Sequence, residues 1–294
     1  MRLIDITLFS IAGTQTIKSR YSSLESMRTL CFTIDLDRDV NNAVSGSSAA
    51  ISIDRGCGSS PRFESSKKGT EKLVELLDEM NIKATFFAEA RTLSNTHIGN
   101  FLSGQEIALH GLDHEDFTGT KTGIQMEEGE MREIIERAIS MIRDEVGYQP
   151  SGFRTPYMDP NEILMEALPE YGIRYDSSYY AYLQPKMLPY RHNGMLEIPV
   201  LKGRDEKGKN ITSYLWPMHE GNRSSSDFIA MGKQLKEGVF VLATHSWHIV
   251  EGREKGIMDD DAVKRNISNV RAVLEGLMDE GYILKTMSDV SKEF

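Results

Sequence analysis

Apolar runs and amphipathic helical patterns alternate along this chain, and their order restricts its fold more than any other feature. Residues 30–34 predict a buried strand because they are apolar and include β-branched and aromatic side chains. Residues 73–80 have the apolar spacing of a helix that starts near Thr70, and residues 84–88 predict a second buried strand. A strand, a helix and a strand in this order form a βαβ unit, whose two strands are parallel.

The same alternation continues to the end of the chain. Further strands are predicted at 107–109, 151–153, 196–200, 239–244 and 282–286, and further helices at 123–146, 161–168 and 259–280. Residues 1–29 are predicted to be an N-terminal extension packed on or near the domain formed by residues 30–294. Residues 41–68, rich in Ser and Gly, are predicted to be a loop insertion. We find no domain linker, so the pattern indicates one α/β domain.

Composition limits the classes of partner. The 294 residues carry a formal net charge of -10, which argues against nucleic acid and anionic membranes as partners. The two cysteines imply no disulfide framework. No apolar run approaches the length of a membrane span, and Asp5 interrupts the short apolar stretch at the N-terminus, so a cytoplasmic location is the expectation.

Two of the seven histidines, His110 and His114, lie four residues apart, directly after the predicted strand 107–109. On a turn of helix this spacing puts both rings on one face. Two imidazoles provide half of a tetrahedral zinc site, and α/β folds place their chemistry at the carboxyl ends of strands. The alternative is a pair of ordinary surface or capping histidines.

Three acids, Asp35, Asp37 and Asp39, alternate after the first predicted strand. In an extended chain they point the same way, and such crowding is costly unless a cation or a proton neutralises it. The alternative is an acidic loop. Other ionisable residues that follow strands are Arg154, Asp176 and His245. Two histidines and one carboxylate leave a metal position open for water, an arrangement suited to hydrolysis of an amide or ester.

Together these residues resemble the polysaccharide deacetylases of the NodB-homology type, carbohydrate esterase family 4, over nearly the whole chain. Residues 33–37, Thr-Ile-Asp-Leu-Asp, are similar to the family's first motif. One residue separates the two acids, as in the intracellular and allantoinase-like subgroup. The resemblance implies that Asp35 is the general base and that Asp37 is a metal ligand.

The second motif of that family has two histidines four residues apart. Residues 110–114 match it, with Gly111 in place of the usual hydroxyl residue. The resemblance implies that His110 and His114 are both metal ligands.

The third motif is matched in full by residues 154–157, Arg-Thr-Pro-Tyr. The resemblance implies that Arg154 pairs with Asp35 and that the backbone N–H of Tyr157 helps to hold the oxyanion. A buried arginine that pairs with an acid can also serve structure alone, which is the alternative for Arg154.

The last two motifs are matched more loosely. Asp176 begins an Asp-Ser-Ser sequence, and the resemblance implies that it orients the general acid. The fifth motif is approximated from Leu242 to His245 with one extra residue. His245 is our candidate general acid and His248 competes for that role, unless it is only a rim histidine. Leu242, Trp247 and His248 are candidate substrate contacts, with Trp247 either a platform for a sugar ring or a packing residue.

The resemblance implies a single-domain, distorted (β/α)7 TIM-like barrel and a divalent metal, with zinc favoured. It implies removal of an acetyl group from an N-acetylated sugar, with a small molecule or oligosaccharide as substrate. Two other activities stay open: hydrolysis of another linear or cyclic amide, as in allantoinase-like relatives, and a haloacid-dehalogenase-type phosphatase built on Asp35 and Asp37. The phosphatase motif needs Thr or Val where Asp39 stands, and it leaves both histidines unexplained. A homo-oligomer also stays open.

Overall fold

The computed structural model describes residues 27–38, 42–43, 50–51, 63–253 and 256–294. The predicted N-terminal extension lies outside the described residues up to residue 26, as do Asp39 and most of the predicted loop insertion. No helix in the described ranges is both long and apolar enough to cross a bilayer.

Between residues 63 and 176 the described helices and strands alternate as the sequence predicts, whereas the strands between residues 175 and 212 follow one another without an intervening helix. The strands are β1 (Arg28–Leu36), β2 (Asn42–Ala43), β3 (Ala50–Ile51), β4 (Thr85–Ala88), β5 (Glu106–Leu109), β6 (Gly152–Phe153), β7 (Tyr175–Asp176), β8 (Tyr180–Tyr182), β9 (Lys186–Met187), β10 (Tyr190–His192), β11 (Met195–Glu197), β12 (Val200–Arg204), β13 (Asn210–Thr212), β14 (Glu237–His245), β15 (Glu251–Gly252), β16 (Gly256–Ile257) and β17 (Tyr282–Leu284). The helices are α1 (Phe63–Met80), α2 (Ala90–Thr96), α3 (Glu128–Val146), α4 (Glu162–Ala167), α5 (Trp216–His219), α6 (Ser225–Gly232), α7 (Asp260–Asp279) and α8 (Met287–Ser291).

The main sheet is curled around strand β1. Along the path β11-β7-β6-β5-β4-β1-β14 every described pair of neighbours is parallel. The segment after β13 closes the gap between β12 and β14, because Ser213 N–H donates to Leu201 O and Ala243 N–H donates to Ser213 O, both at 2.8 Å. This confirms the predicted single α/β domain with a distorted barrel.

Strand β1 shows why the core forms on both sides of this sheet. Its side chains are buried from Thr29 onwards and alternate between two apolar clusters, as the period of two in a strand requires. Leu30 and Phe32 pack in the larger cluster, which includes the buried faces of the helices, whereas Cys31 packs in the smaller one. Cys31 is therefore a small buried apolar residue.

The first described helix begins earlier than predicted. Residues 63–68 fall in the predicted loop insertion, but α1 starts at Phe63. Apolar periodicity misses this turn because its buried face is polar: Ser65 donates a hydrogen bond to Glu251 Oε2 at 2.7 Å, and Ser66 donates one to the backbone carbonyl of Asp37. The helix therefore reaches the end of β1, where it supports the residues of the site.

Candidate active site

Five of the ionisable residues that follow strands, Asp35, Asp37, His110, His114 and His245, line one cleft of about 290 Å³. It opens where β1, β5, β6 and β14 end, as parallel strands of a barrel require. Its ionisable and aromatic lining residues are Asp35, Asp37, His110, His114, Tyr157, Tyr180, Tyr214, Trp216, His245, Trp247 and Arg253.

Asp37, His110 and His114 form a buried cluster that fits a metal ion. Each offers one ligand atom, and these atoms all lie within 4.8 Å of one another. His110 Nδ1 lies 2.7 Å from the carbonyl oxygen of Arg154, to which it can donate, and this leaves the lone pair of Nε2 for a ligand. Burial lowers the pKa of both histidines, so they are neutral, as metal ligands must be. Two imidazoles and one carboxylate are a donor set used for catalytic zinc.

The two histidines lie on a loop after β5, not on a turn of helix as the spacing suggested. The chain turns sharply because Gly111 and His114 both adopt positive φ, 78° and 55°. The Glu115 carboxylate then accepts hydrogen bonds from the N–H groups of Leu112 at 3.0 Å and Asp113 at 2.8 Å. A Cβ on residue 111 would lie 2.6 Å from Glu115 Oε2, which explains why glycine replaces the hydroxyl residue of the motif.

Asp35 is held by a buried arginine and a tyrosine. Arg154 Nη1 donates to Asp35 Oδ1 at 2.8 Å, and Tyr214 Oη donates to Asp35 Oδ2 at 2.6 Å. Arg154 itself is fully buried and also donates to Thr33 Oγ1 and to Ser177. Burial alone raises the pKa of Asp35, but the guanidinium, as the strongest opposing influence, brings this pKa below its ordinary value. Asp35 is therefore an ionised carboxylate at neutral pH.

His245 faces Asp35 from the neighbouring strand. The two residues are register partners of β14 and β1, and His245 Nε2 lies 3.9 Å from Asp35 Oδ2. The imidazole stacks on the Tyr214 ring, with 5.4 Å between centroids. Burial lowers the pKa of His245 to about 3, against the attraction of Asp35, so the ring is neutral at neutral pH.

His248 does not line this cleft, although it lies three residues beyond His245. It is buried, and its Nε2 lies 2.7 Å from Glu220 Oε1. Its ring stacks on the indole of Trp247 at 4.4 Å, and Trp247 is the residue of this pair that reaches the cleft. Of the two histidines left open by the sequence, the structure therefore places only His245 opposite Asp35.

Two residues that were predicted for the site, Leu242 and Asp176, do not line the cleft. Leu242 points into the helix-side apolar cluster, because the alternation along β14 puts Ala243 on the inner face, so the predicted substrate contact of Leu242 is wrong. Ser178 Oγ donates a hydrogen bond to Asp176 Oδ1 at 2.6 Å, and the Asp176 carboxyl group lies against that of Glu197. Among the described residues it makes no hydrogen bond or ion pair with His245, so the structure does not support Asp176 as the residue that orients the general acid.

Tyr157 lies in the short turn Pro156–Met158, with a φ of 61°. Its ring packs edge-on against His114, with 4.6 Å between centroids. The predicted residue therefore contacts a histidine of the metal cluster.

Sequence reasoning missed Tyr214, which completes the hydrogen bonding of Asp35. It lies in the segment that closes the barrel, and 179 positions along the chain separate the two residues. No strand or motif pattern marks this segment, so the sequence offers no signal beyond an aromatic pair, Tyr214 and Trp216.

Comparison with known proteins gives a family match. The model of the polysaccharide deacetylase family matches residues 41–175, which include His110, His114 and Arg154. A peptidoglycan deacetylase-like protein of Gibberella zeae is 29% identical over 161 residues, 52% of this chain and 45% of the relative. A peptidoglycan deacetylase of Helicobacter pylori is 24% identical over 113 residues, 37% of this chain and 36% of the relative.

These matches span less than half the length of either curated relative. Among solved structures, a candidate polysaccharide deacetylase from Mycobacterium smegmatis is 20% identical. It aligns with a TM-score of 0.59 over 92% of this chain and 90% of its own chain. At this identity the likeness shows the fold alone.

Proposed function

We propose that this chain is a metal-dependent hydrolase that removes the acetyl group from an N-acetylated sugar, because residues 41–175 match the polysaccharide deacetylase family and a curated relative is a peptidoglycan deacetylase. Such a reaction cleaves a carbon–nitrogen bond that is not a peptide bond. The observation that carries the proposal is the close approach of the ligand atoms of Asp37, His110 and His114, within 4.8 Å of one another, beside the ion pair of Asp35 and Arg154.

Asp37, His110 and His114 would hold a divalent ion, which would polarise the acetamide carbonyl and lower the pKa of the attacking water. The chain supplies the proton transfers. Asp35 is ionised and is fixed by Arg154 and Tyr214, so it can take the proton of that water as general base. The backbone N–H of Tyr157, in the turn beside His114, is the proposed donor to the oxyanion.

His245 is the proposed general acid. Hydrolysis of an amide needs one proton removed from water and one delivered to the departing amine, so the two transfers balance. His245 is neutral before the reaction because burial lowers its pKa to about 3. With Nε2 at 3.9 Å from Asp35 Oδ2, it can pass the proton that Asp35 receives towards the amine on the other side of the cleft.

The test measures metal content and acetate release from N-acetylglucosamine oligomers by the same protein preparation. We expect about one divalent ion per chain and acetate release that a chelator abolishes. His110→Ala should lose both the metal and the activity. The matched control is His97→Ala, because the His97 side chain is 82% exposed and lies outside the cleft. Retention of metal and activity by His110→Ala would contradict the proposed site.

Other substrates are outcomes of the same screen. Turnover of small linear or cyclic amides without acetate release from sugars would replace the sugar substrate by an allantoinase-like one. Phosphate release from an aryl phosphate, lost in Asp35→Asn, would favour the phosphatase instead. Zinc as the metal, the cytoplasmic location and the intracellular, allantoinase-like subgroup stay predictions, and the last of these depends on the single residue between Asp35 and Asp37.

A further inference from the structure

A second and larger cleft, of about 700 Å³, lies beside the active-site cleft. We call it the distal cleft, and its key lining residues are Tyr182, Lys202, Arg204, Trp216 and Arg223. Its floor is the small sheet formed by β8, β12 and β13. This volume lies within the range of about 300–1,000 Å³ that is typical of sites for small molecules.

The two clefts share a wall. Trp216 lines both of them, so its indole separates one from the other. On strand β8, Tyr180 lines the active-site cleft and Tyr182 lines the distal cleft. The ammonium group of Lys202, in the distal cleft, lies over the Tyr180 ring at 4.4 Å from its centroid. The two clefts therefore adjoin at Trp216 and along strand β8.

The distal cleft is positively charged in a protein with a formal net charge of -10. It is lined by three cationic side chains and by no carboxylate among the described residues. Arg223 lies 3.5 Å from a carboxylate oxygen of Asp205, a residue outside the lining. Lys202 and Arg204 form no ion pair with the described acids, and within the described residues the Arg204 guanidinium donates to the carbonyl oxygen of Gly208, at 3.2 Å. Both cations are available to a ligand.

Positive charge also continues into the active-site cleft. The guanidinium of Arg253 lies over the Trp216 ring at 5.0 Å, and Arg253 lines the active-site cleft. Its side chain forms no ion pair with the described acids, while its backbone N–H donates to Glu220 Oε1 at 2.6 Å. Cationic side chains thus lie on both sides of the shared indole.

The aromatic residues of the distal cleft, Tyr182 and Trp216, indicate the uncharged part of the ligand. Tyr182 is 76% exposed at the distal cleft. Tyrosine and tryptophan combine a flat apolar face with a polar tip, which suits the apolar face and the hydroxyl rim of a sugar ring. Lysine and arginine add recognition of a carboxylate, which arginine can bind through two parallel hydrogen bonds.

We propose that the distal cleft binds a carboxylate-bearing sugar unit of the same glycan whose N-acetylated unit occupies the active-site cleft. Only the placement of an N-acetylated unit in the active-site cleft rests on the proposed function. Lys202 and Arg204 recognise the carboxylate, and Tyr182 and Trp216 stack on the sugar. The preferred substrate is therefore an acidic glycan, and a neutral oligomer of N-acetylglucosamine leaves the cations unpaired.

The test measures binding by isothermal titration calorimetry, which needs no turnover. The probes are two tetrasaccharides, N-acetylglucosamine alternating with glucuronic acid and with N-acetylmuramic acid, each compared with its own methyl ester. We expect at least one acid to bind about three- to tenfold more tightly than its ester, since each of two partly exposed ion pairs contributes modestly. Raising the salt concentration should reduce this preference.

The variant Lys202→Gln/Arg204→Gln should bring the acid-to-ester ratio close to one. Its matched control is Arg137→Gln/Lys264→Gln, which removes the same charge from exposed positions on α3 and α7, outside both clefts. Equal binding of acid and ester for both probes by the unaltered protein would overturn the proposal, and so would an undiminished preference in the double variant. Acid-selective binding without any acetate release would refute the proposed function and leave the distal cleft standing.

Discussion

Two buried pairs, Asp35 with Arg154 and Asp176 with Glu197, lie at the carboxyl ends of strands. The pKa of Asp35 is lowered, whereas the pKa values of Asp176 and Glu197 are raised. Asp35, at the end of β1, and Asp176, at the end of β7, are each 1% exposed. Asp35 has a guanidinium against it, and its pKa lies below the ordinary value although burial opposes this. Asp176 has Glu197 as its register partner on β11, and burial raises the pKa of both carboxyl groups.

The difference shows what a buried acid needs in order to stay charged. A carboxylate removed from water takes up a proton unless a cation compensates for the lost hydration. The Asp176 carboxyl group hydrogen-bonds to Glu197, so a shared proton satisfies this pair without a cation beside it. Arg154 therefore distinguishes Asp35, the proposed general base, from the paired acids Asp176 and Glu197. We expect substitutions at the two pairs to differ in kind.

The largest difference should follow from replacing the acids by their amides. Asp35→Asn cannot accept a proton, so we expect acetate release to fall about 10²- to 10⁴-fold, the contribution of a general base. The metal should stay bound, because Asp35 is not among the three ligand residues. Asp176→Asn is the matched control, and we expect it to keep activity within about tenfold, since the pair with Glu197 carries no proton transfer.

Acetate release and metal content of the two purified variants, measured side by side, check this prediction. Equal losses in Asp35→Asn and Asp176→Asn would remove the functional distinction between the pairs. Loss of metal from Asp35→Asn would show that Asp35 acts through the metal cluster and not as the base.

A smaller effect should follow from weakening the support of Asp35 while keeping its charge. Tyr214→Phe removes the hydrogen bond of 2.6 Å to Asp35 Oδ2 and leaves Arg154 in place. Loss of a hydrogen bond to a charged group costs about 1.5–3 kcal/mol, so we expect kcat to fall about 10- to 150-fold with little change in KM. Tyr190→Phe is the control, because Tyr190 is exposed on β10 and outside both clefts. An unchanged kcat in Tyr214→Phe would mean that Arg154 alone positions the base.

The acid, histidine and arginine of the site could be predicted because each directly follows an apolar run. Asp35, His110 and Arg154 need only the rule that parallel strands end at a common edge. Tyr214 could not be predicted in this way, since its segment has no alternation and reaches Asp35 only after the barrel closes.

The wrong prediction for Leu242 has a different cause, because the strand period in the sequence already assigns this residue to the face opposite His245. Side chains on a strand alternate between its faces, and His245 has to face the cleft. Counted back from His245, residue 243 shares that face and Leu242 takes the opposite one, as the apolar clusters show. The motif spacing from Leu242 to His245 has one residue too many and conflicts with the strand period. The early start of α1 differs again, since its first turn is buried through serine hydrogen bonds that no apolar pattern predicts.

The smallest expected effect concerns the Asp176–Glu197 pair and the way the free energy of unfolding depends on pH. Burial raises the pKa of Glu197 well above its ordinary value of 4.5, and that of Asp176 is raised too. The folded protein therefore keeps a proton that the unfolded chain releases above about pH 4.5, and this pair lowers stability as pH rises from there towards its folded pKa. Glu197→Gln replaces the acid by an amide that donates to Asp176 without titrating, so this loss should be reduced.

We expect the free energy of unfolding of Glu197→Gln, relative to the unaltered protein, to improve by about 1 kcal/mol between pH 5 and pH 8, one pKa unit being worth about 1.4 kcal/mol. Urea unfolding at both pH values measures this difference. Glu275→Gln, at a position 56% exposed on α7, should show none. The histidines of the metal cluster titrate in all three proteins, so their contribution cancels in the comparison. Parallel pH profiles for Glu197→Gln and the unaltered protein would mean that the Asp176–Glu197 pair is ionised, and its contrast with Asp35 would be lost.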